Sequence, residues 1–292
     1  MYSLSDTNSH NCISYQKGKG AVEEQLTISD EVAYKLFIEN KRITTLIASP
    51  HDFRDLIIGY CLMEGHISQL EDIAHIAMDS DSHRIDVTLN HNTAYYNESA
   101  PVIPPAAKAN LTVSADEICN YGGLLDSITK AHHTSHGVHE GALVKDGKVV
   151  AYAEDVGRHN VLDRLLGIIT TQKIDSSDKI LIFSGRVPQS VIKKVHRIGV
   201  PIFCSRAMPT ELGIELAQNI TLPSVMCCAP IPLNVLPIRN GLKDFCRTNK
   251  LFYTPRYQIL SYNPYKTKFL TVKTKRLSCI VASQRTLQES LF

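Results

Sequence analysis

The chain has 292 residues, 43% of them hydrophobic and 21% charged, with 15 Gly, 13 Pro and a formal net charge of +2. That composition excludes disordered, collagen-like and coiled-coil chains. No apolar run approaches the roughly 18 residues of a membrane span and the polar first twenty residues lack a secretory core, so a cytoplasmic protein without membrane attachment is expected.

In chain order, residues 1–20 read as a disordered leader and 21–92 as a small α+β domain. EEQLTI and ITTLIAS alternate as strands do, and VAYKLFIENKR between them is open to helix or irregular strand. Ser49 with Asp52 reads as a capping box, with Pro50 at the first helical position. Phe53, Leu56, Ile57, Tyr60 and Cys61 follow at helical spacing as far as Gly65. Residues 93–114 carry Pro101, Pro104 and Pro105 without periodicity and read as a linker loop. A helix over Ala115–Lys130 then leads into a layered α/β domain, residues 115–240. There Asp146-Gly147 marks a hairpin, and strands over Lys179–Phe183 and Val200–Cys204 alternate with helices, the pattern of a parallel sheet.

Three loops following strand ends carry Arg158, Arg186 and Arg206. Ligands bind at the carboxyl ends of strands in open α/β sheets, helix N-termini favour anions, and guanidinium forks grip phosphate. Together these loops predict a site for a phosphorylated or polyanionic ligand. His132, His133, His136, His139 and His159 also cluster in sequence. His139-Glu140 lacks the spacing and the paired thiolates of a zinc deaminase, and the eight cysteines form no CxxC, so no zinc or other metal is expected.

The segments SHGVH from Ser135, EDVGRHNVLDRLLG from Glu154 to Gly167, FSGR from Phe183, CSRAMPT from Cys204 and NITL from Asn219 resemble the FdhD family of sulfur carriers. The resemblance extends over about residues 20–225. It implies a sulfurtransferase for formate dehydrogenase maturation. Such a protein takes persulfide sulfur from a cysteine desulfurase and passes it to a molybdenum or tungsten bis-pterin guanine dinucleotide cofactor. It also implies a second domain resembling the cytidine deaminase fold without its zinc. Gly137, His139, Arg158, His159, Asn160, Asp163, Ser184, Arg186, Ser205, Arg206 and Thr210 form the implied cofactor-binding set, for which GDP would serve as a mimic. Cysteine desulfurase and formate dehydrogenase are the implied partners, and a homodimer is allowed.

Two departures qualify the activity. The family places a CxxC in the loop between its halves, whereas residues 97–109 contain no cysteine, and VMCCAP from Val225 stands where the family has a Gly- and Arg-containing contact. Cys119, Cys204 and the Cys227-Cys228 pair are the remaining thiol candidates, each with an inert reading beside it. A non-catalytic relative that delivers or senses the cofactor or a guanine nucleotide is therefore the alternative. Residues 241–292 carry ten Lys/Arg against Asp244 and Glu289. This basic extension is expected to add a β element rather than a nucleic-acid arm.

Overall fold

The computed structural model describes residues 7–90, 111–128, 135, 137–219, 225–227, 234–235 and 250–252. Its first element corrects the expected leader: β1 (Thr7–Gln16) pairs antiparallel along its whole length with β2 (Gly20–Ser29). The leader reading failed because the pair is mostly exposed, and a strand without a buried face leaves no hydrophobic period in the sequence.

VAYKLFIENKR resolves as β3 (Val32–Ile38) turning into β4 (Lys41–Ala48), with Glu39 and Asn40 at φ 49° and 60°. Two successive left-handed residues give the turn handedness that matches strand twist. With β5 (Ile73–Asp79) and β6 (Arg84–Leu89) they form a four-stranded sheet of order β4-β3-β6-β5, parallel at β3–β6 alone. Helix α1 (Phe53–Met63) supplies Leu56, Ile57, Ile58 and Cys61 to the core formed with Leu36, Ile85 and Val87. Its start also differs from expectation. The helix begins at Phe53, Asp52 caps it in a left-handed conformation without a side-chain hydrogen bond, and Ser49 is buried and used elsewhere.

The second half begins with β7 (Thr112–Ser114) and α2 (Ala115–Ile128). Here a capping box does form: Glu117 N–H donates to Ser114 Oγ, and Ser114 N–H to the Glu117 carboxylate. There follow β8 (His139–Lys145), β9 (Lys148–Asp155), α3 (Arg158–Thr171), β10 (Ile180–Phe183), α4 (Gln189–Ile198), β11 (Ile202–Ser205), α5 (Glu211–Asn219), β12 (Val225–Cys227) and β13 (Asn234–Val235). β14 (Lys250–Phe252) pairs with β7. The rest of the basic extension, with its expected β element, lies outside the described residues. Among the described residues no helix is long and apolar enough to cross a membrane.

The larger sheet has the order β13-β12-β11-β10-β8-β9. It is mixed rather than parallel as expected: β10, β11 and β12 run together, while β8 runs against both β9 and β10. The cause is the Asp146-Gly147 hairpin, because strands joined by a two-residue turn must be antiparallel. Since β8 opposes both neighbours, β9 points the same way as β10, β11 and β12. Their carboxyl ends and the amino end of β8 therefore share one rim.

Helices α1 and α3 cross with their backbones almost touching. A Cβ at Gly59 would lie 1.7 Å from the Asp163 carbonyl oxygen, and one at Gly167 would lie 2.0 Å from that of Asp55. Only hydrogen fits at either position, and neither obstacle is a side chain able to swing away. Gly59→Ala is therefore expected to destabilise the fold by about 3 kcal/mol or more, the upper range for overpacking. Gly123→Ala, with open space around it in α2, is expected to be neutral or to stabilise by up to roughly 1 kcal/mol. Urea denaturation of both variants checks this.

Candidate functional site

The rim is built in rows. Register aligns Ala153, Gly141, Phe183, Ser205 and Cys227 across five strands. A Cβ at Gly141 would meet Val161 and Leu165 of α3, so Ala153, Phe183 and Ser205, in register with it, also face α3. Strand alternation turns the next residues the other way: Glu140 and Glu154, paired across β8 and β9, face the α2 side. Arg206, one residue beyond β11, reaches that same side and pairs with Asp126 of α2. One residue further, Asp155 and His139 return to the α3 side.

On the α3 side, Asp155 is fully buried and its two oxygens take four donors. Oδ1 accepts from Gly157 N–H and Asn160 Nδ2, both at 2.8 Å; Oδ2 accepts from Arg164 Nε at 2.8 Å and Ser49 N–H at 3.2 Å. Arg164, 2% exposed, donates its remaining groups to the carbonyls of Ser49, His51 and Asp52. Ser49 Oγ accepts from Val156 N–H at 3.1 Å. The polar core of the EDVGRHN motif is thus a clamp on residues 47–52. It fixes the turn from which Arg158 and His159 emerge.

The implied cofactor set divides accordingly. Asn160 and Asp163 are turned inward: Asn160 bonds Asp155 and the Ile47 carbonyl, and Asp163, 1% exposed, holds Lys194 Nζ at 2.5 Å. Burial pushes the Asp163 carboxyl up to about 6 despite Lys194. Ser205 is buried and ties two loops together, donating to Gly185 O at 2.7 Å and accepting from Ala207 N–H. Thr210 Oγ1 accepts from Gly213 N–H at the start of α5. These four serve the frame.

Other members of the set lie along the rim. The β10 loop brings Gly185 against Arg158, whose Cβ would lie 3.2 Å from a Cβ at Gly185. Arg158 Nε is buried with no hydrogen-bond partner among the described residues. Arg186 is exposed. Ser184 clasps β8, its Oγ accepting from Glu140 N–H at 2.8 Å while its own N–H donates to Glu140 O. His139 Nδ1 lies 3.5 Å from the same hydroxyl. His159 Nε2 is 2.9 Å from Ser190 Oγ, and burial lowers its pKa. Gly137 is exposed, its Cα side facing Ser29 of β2.

Sequence reasoning set Glu140 aside together with the zinc-deaminase reading, and it overlooked Asp126 and Lys194. Glu140 left a signal, a carboxylate heading the apolar run GALV, whereas Asp126 and Lys194 look like ordinary residues of solvated helix faces. Glu140 is fully buried, and burial pushes its carboxyl up to about 7, with Arg206 opposing and Asp126 and Glu154 reinforcing the rise.

The thiols also sort by burial. Cys204 is 0% exposed within β11, so its candidacy as a carrier fails on access. Cys61 is buried, with its thiol pushed up to about 12. Cys119 lies on α2, and Cys227 stands in register with Ser205 at the rim. Cys228, His132, His133 and His136 lie outside the described residues. Among the described residues no group of three or more His, Cys, Asp or Glu side chains is placed to hold a metal ion.

An α/β protein with three arginine-bearing strand-end loops on one rim, locked to a smaller sheet by a buried ion pair, is the class that fold and site define. The model of the FdhD/NarQ family matches residues 29–235, and the chain belongs to that family. Among its relatives are the sulfur carrier proteins FdhD of Staphylococcus aureus strains MRSA252 and JH9. Each is 25% identical over 235 residues, covering 73% of this chain and 88% of the relative. The crystal structure of a formate dehydrogenase accessory protein from Desulfotalea psychrophila matches with a TM-score of 0.65 and 25% identity. That match covers 79% of this chain and 96% of the other.

The raised Glu140 carboxyl has a stability consequence. A carboxyl whose folded pKa lies above its unfolded value favours the folded state below the unfolded pKa, and that advantage disappears as pH rises through the folded one. For Glu140 the window runs from its ordinary 4.5 to about 7. Glu140→Gln cannot ionise, so its melting temperature is expected to fall less than that of the wild type between pH 5 and pH 8. Thermal melts across that range check it; parallel curves would contradict it.

Proposed function

We propose that this protein is a sulfur carrier for formate dehydrogenase maturation, receiving persulfide sulfur from a cysteine desulfurase and delivering it to a molybdenum bis-pterin guanine dinucleotide held at the rim. The observation that carries the reading is the gathering of Arg158, Arg186 and Arg206 on one rim by strands of common direction, in a chain of the FdhD/NarQ family. Diphosphate groups match guanidinium forks and the adjacent amino end of α3. Gly137, His139, His159 and Ser184 would border the ligand, with Asn160, Asp163, Ser205 and Thr210 holding their loops.

Sulfur transfer needs an accessible thiolate. The acceptor thiolate attacks the outer sulfur of the desulfurase persulfide, the S–S bond breaks, and the desulfurase thiolate leaves. Cys227 of the Cys227-Cys228 pair has its backbone beside Ser205 at the rim, which favours this pair over Cys119. The cysteine-free stretch 97–109 favours the second reading, a cytoplasmic relative that binds and delivers the cofactor without carrying sulfur. Incubation with a cysteine desulfurase and labelled cysteine, followed by peptide mapping, separates the two. Label on the Cys227-Cys228 peptide supports transfer; label on no cysteine supports binding alone.

The rim itself is tested with GDP. Charge-assisted contacts are worth on the order of 1.5–3 kcal/mol, so Arg158→Ala is expected to weaken GDP binding at least about tenfold. Unchanged affinity on calorimetry in Arg158→Ala, Arg186→Ala and Arg206→Ala would remove the site from this rim.

A further inference from the structure

The ribbon of β1 and β2 is a sheet of two strands by itself, and it ends where the match to the family model begins, at residue 29. Along residues 8–16, no strand of the described residues lies on the side of β1 away from β2. A two-stranded ribbon is marginally stable in water and gains from further strands. Of the nine exposed large apolar side chains among the described residues, five stand on this ribbon. Ile13, 72% exposed, and Tyr15, 78% exposed, share one face, and Val22, Leu26 and Ile28 share the other. The two edges differ. β2 carries Glu23 and Glu24, charges of the kind that discourage edge pairing, whereas the TNSHNCISYQ of β1 contains no Lys, Arg, Asp, Glu or Pro. Charge is also divided along the ribbon. Lys17 and Lys19 are exposed at its tip, Asp30 and Glu31 follow β2 at its base, and none of the four has an ion-pair partner among the described residues.

We propose that β1 is the edge through which two copies of this chain pair, antiparallel about a two-fold axis, to give one four-stranded sheet. Side chains directly opposite in an antiparallel pair lie on the same face, so like faces stay together when the axis passes through a residue. Asn11 and Cys12 are the two residues at the middle of β1. Either centre lays the tip of one copy alongside the base of the other. Neighbouring strands are about 4.8 Å apart. The tip lysines of one copy therefore come within about 10 Å of Asp30 and Glu31 of the other, two strand spacings, a gap that a lysine and a carboxylate side chain close together. The axis repeats the match, so both ends of the interface attract. An unrelated strand would answer this division of charge only if it carried the same division itself, whereas a second copy answers it by symmetry.

Sedimentation velocity of the full chain across a micromolar concentration series reads the dimer. Lys17→Glu/Lys19→Glu is expected to weaken dimerisation at least about tenfold, because repulsion replaces attraction at both ends. Asp30→Lys/Glu31→Lys is expected to do the same. An equimolar mixture of the two variants should dimerise as the wild type does, since each end again joins unlike charges. Misfolded variants would not be rescued in this way. A wild type that stays monomeric, leaving the edge to a strand of another protein, overturns the proposal. A wild-type dimer that both variants leave unchanged pairs through another surface and overturns it too. So do weakened variants that their mixture does not restore. None of these outcomes bears on the reading of the rim.

Discussion

The Asp155–Arg164 pair is the contact on which the remaining geometry depends. Ionised groups this deep lose several kcal/mol of hydration each, and a buried pair is stable only when its other donors and acceptors are also satisfied. Here Asp155 accepts four hydrogen bonds and Arg164 reaches three carbonyls of residues 49–52. Both halves of the chain must be in place for either charge to be tolerated. One compact arrangement meets that demand, and it fixes where α3 begins. The direction in which Arg158 leaves the sheet is therefore set by residues more than one hundred positions earlier.

Much of the architecture is legible in the sequence because local rules operate there. Asp146-Gly147 marks its hairpin, Gly199 and Gly65 close their helices in left-handed conformations, and the apolar spacing of α1 picks out Leu56, Ile57 and Cys61, which are buried. At the start of α1, a long-range contact overrides a local preference. Ser49 has the residue type and spacing of a helix cap, but the Asp155 clamp takes both its hydroxyl and its amide. The mixed sheet follows from a hairpin plainly visible in sequence; what is invisible is that β10 joins the β8 side of it.

The candidate rim was legible in part. Arginines after strand ends can be counted in a sequence, and they do share a rim. Chemical type alone does not say whether a polar motif residue faces a ligand or the interior. In EDVGRHNVLDR the same run supplies the rim through Arg158 and His159, and the frame through Asp155, Asn160, Asp163 and Arg164. Helical spacing separates the two groups only once the positions of α1 and the sheet are known. Glu140 illustrates the converse, since burial raises its carboxyl and Arg206 and Asp126, on other elements, act on it together with Glu154 across the hairpin.

The crossing of α1 and α3 carries a kinetic implication. Contacts between backbones at Gly59 and Gly167, like those made by Arg164, join segments about one hundred residues apart. Loop closure over such distances costs entropy before any contact repays it, and such topologies fold slowly. Each sheet can assemble from nearer neighbours, whereas the helix crossing forms only when the two meet. During synthesis the apolar face of α1 can bury itself against the first sheet as soon as β6 has emerged, whereas the face around Gly59 stays open until residues beyond Gly167 have left the ribosome.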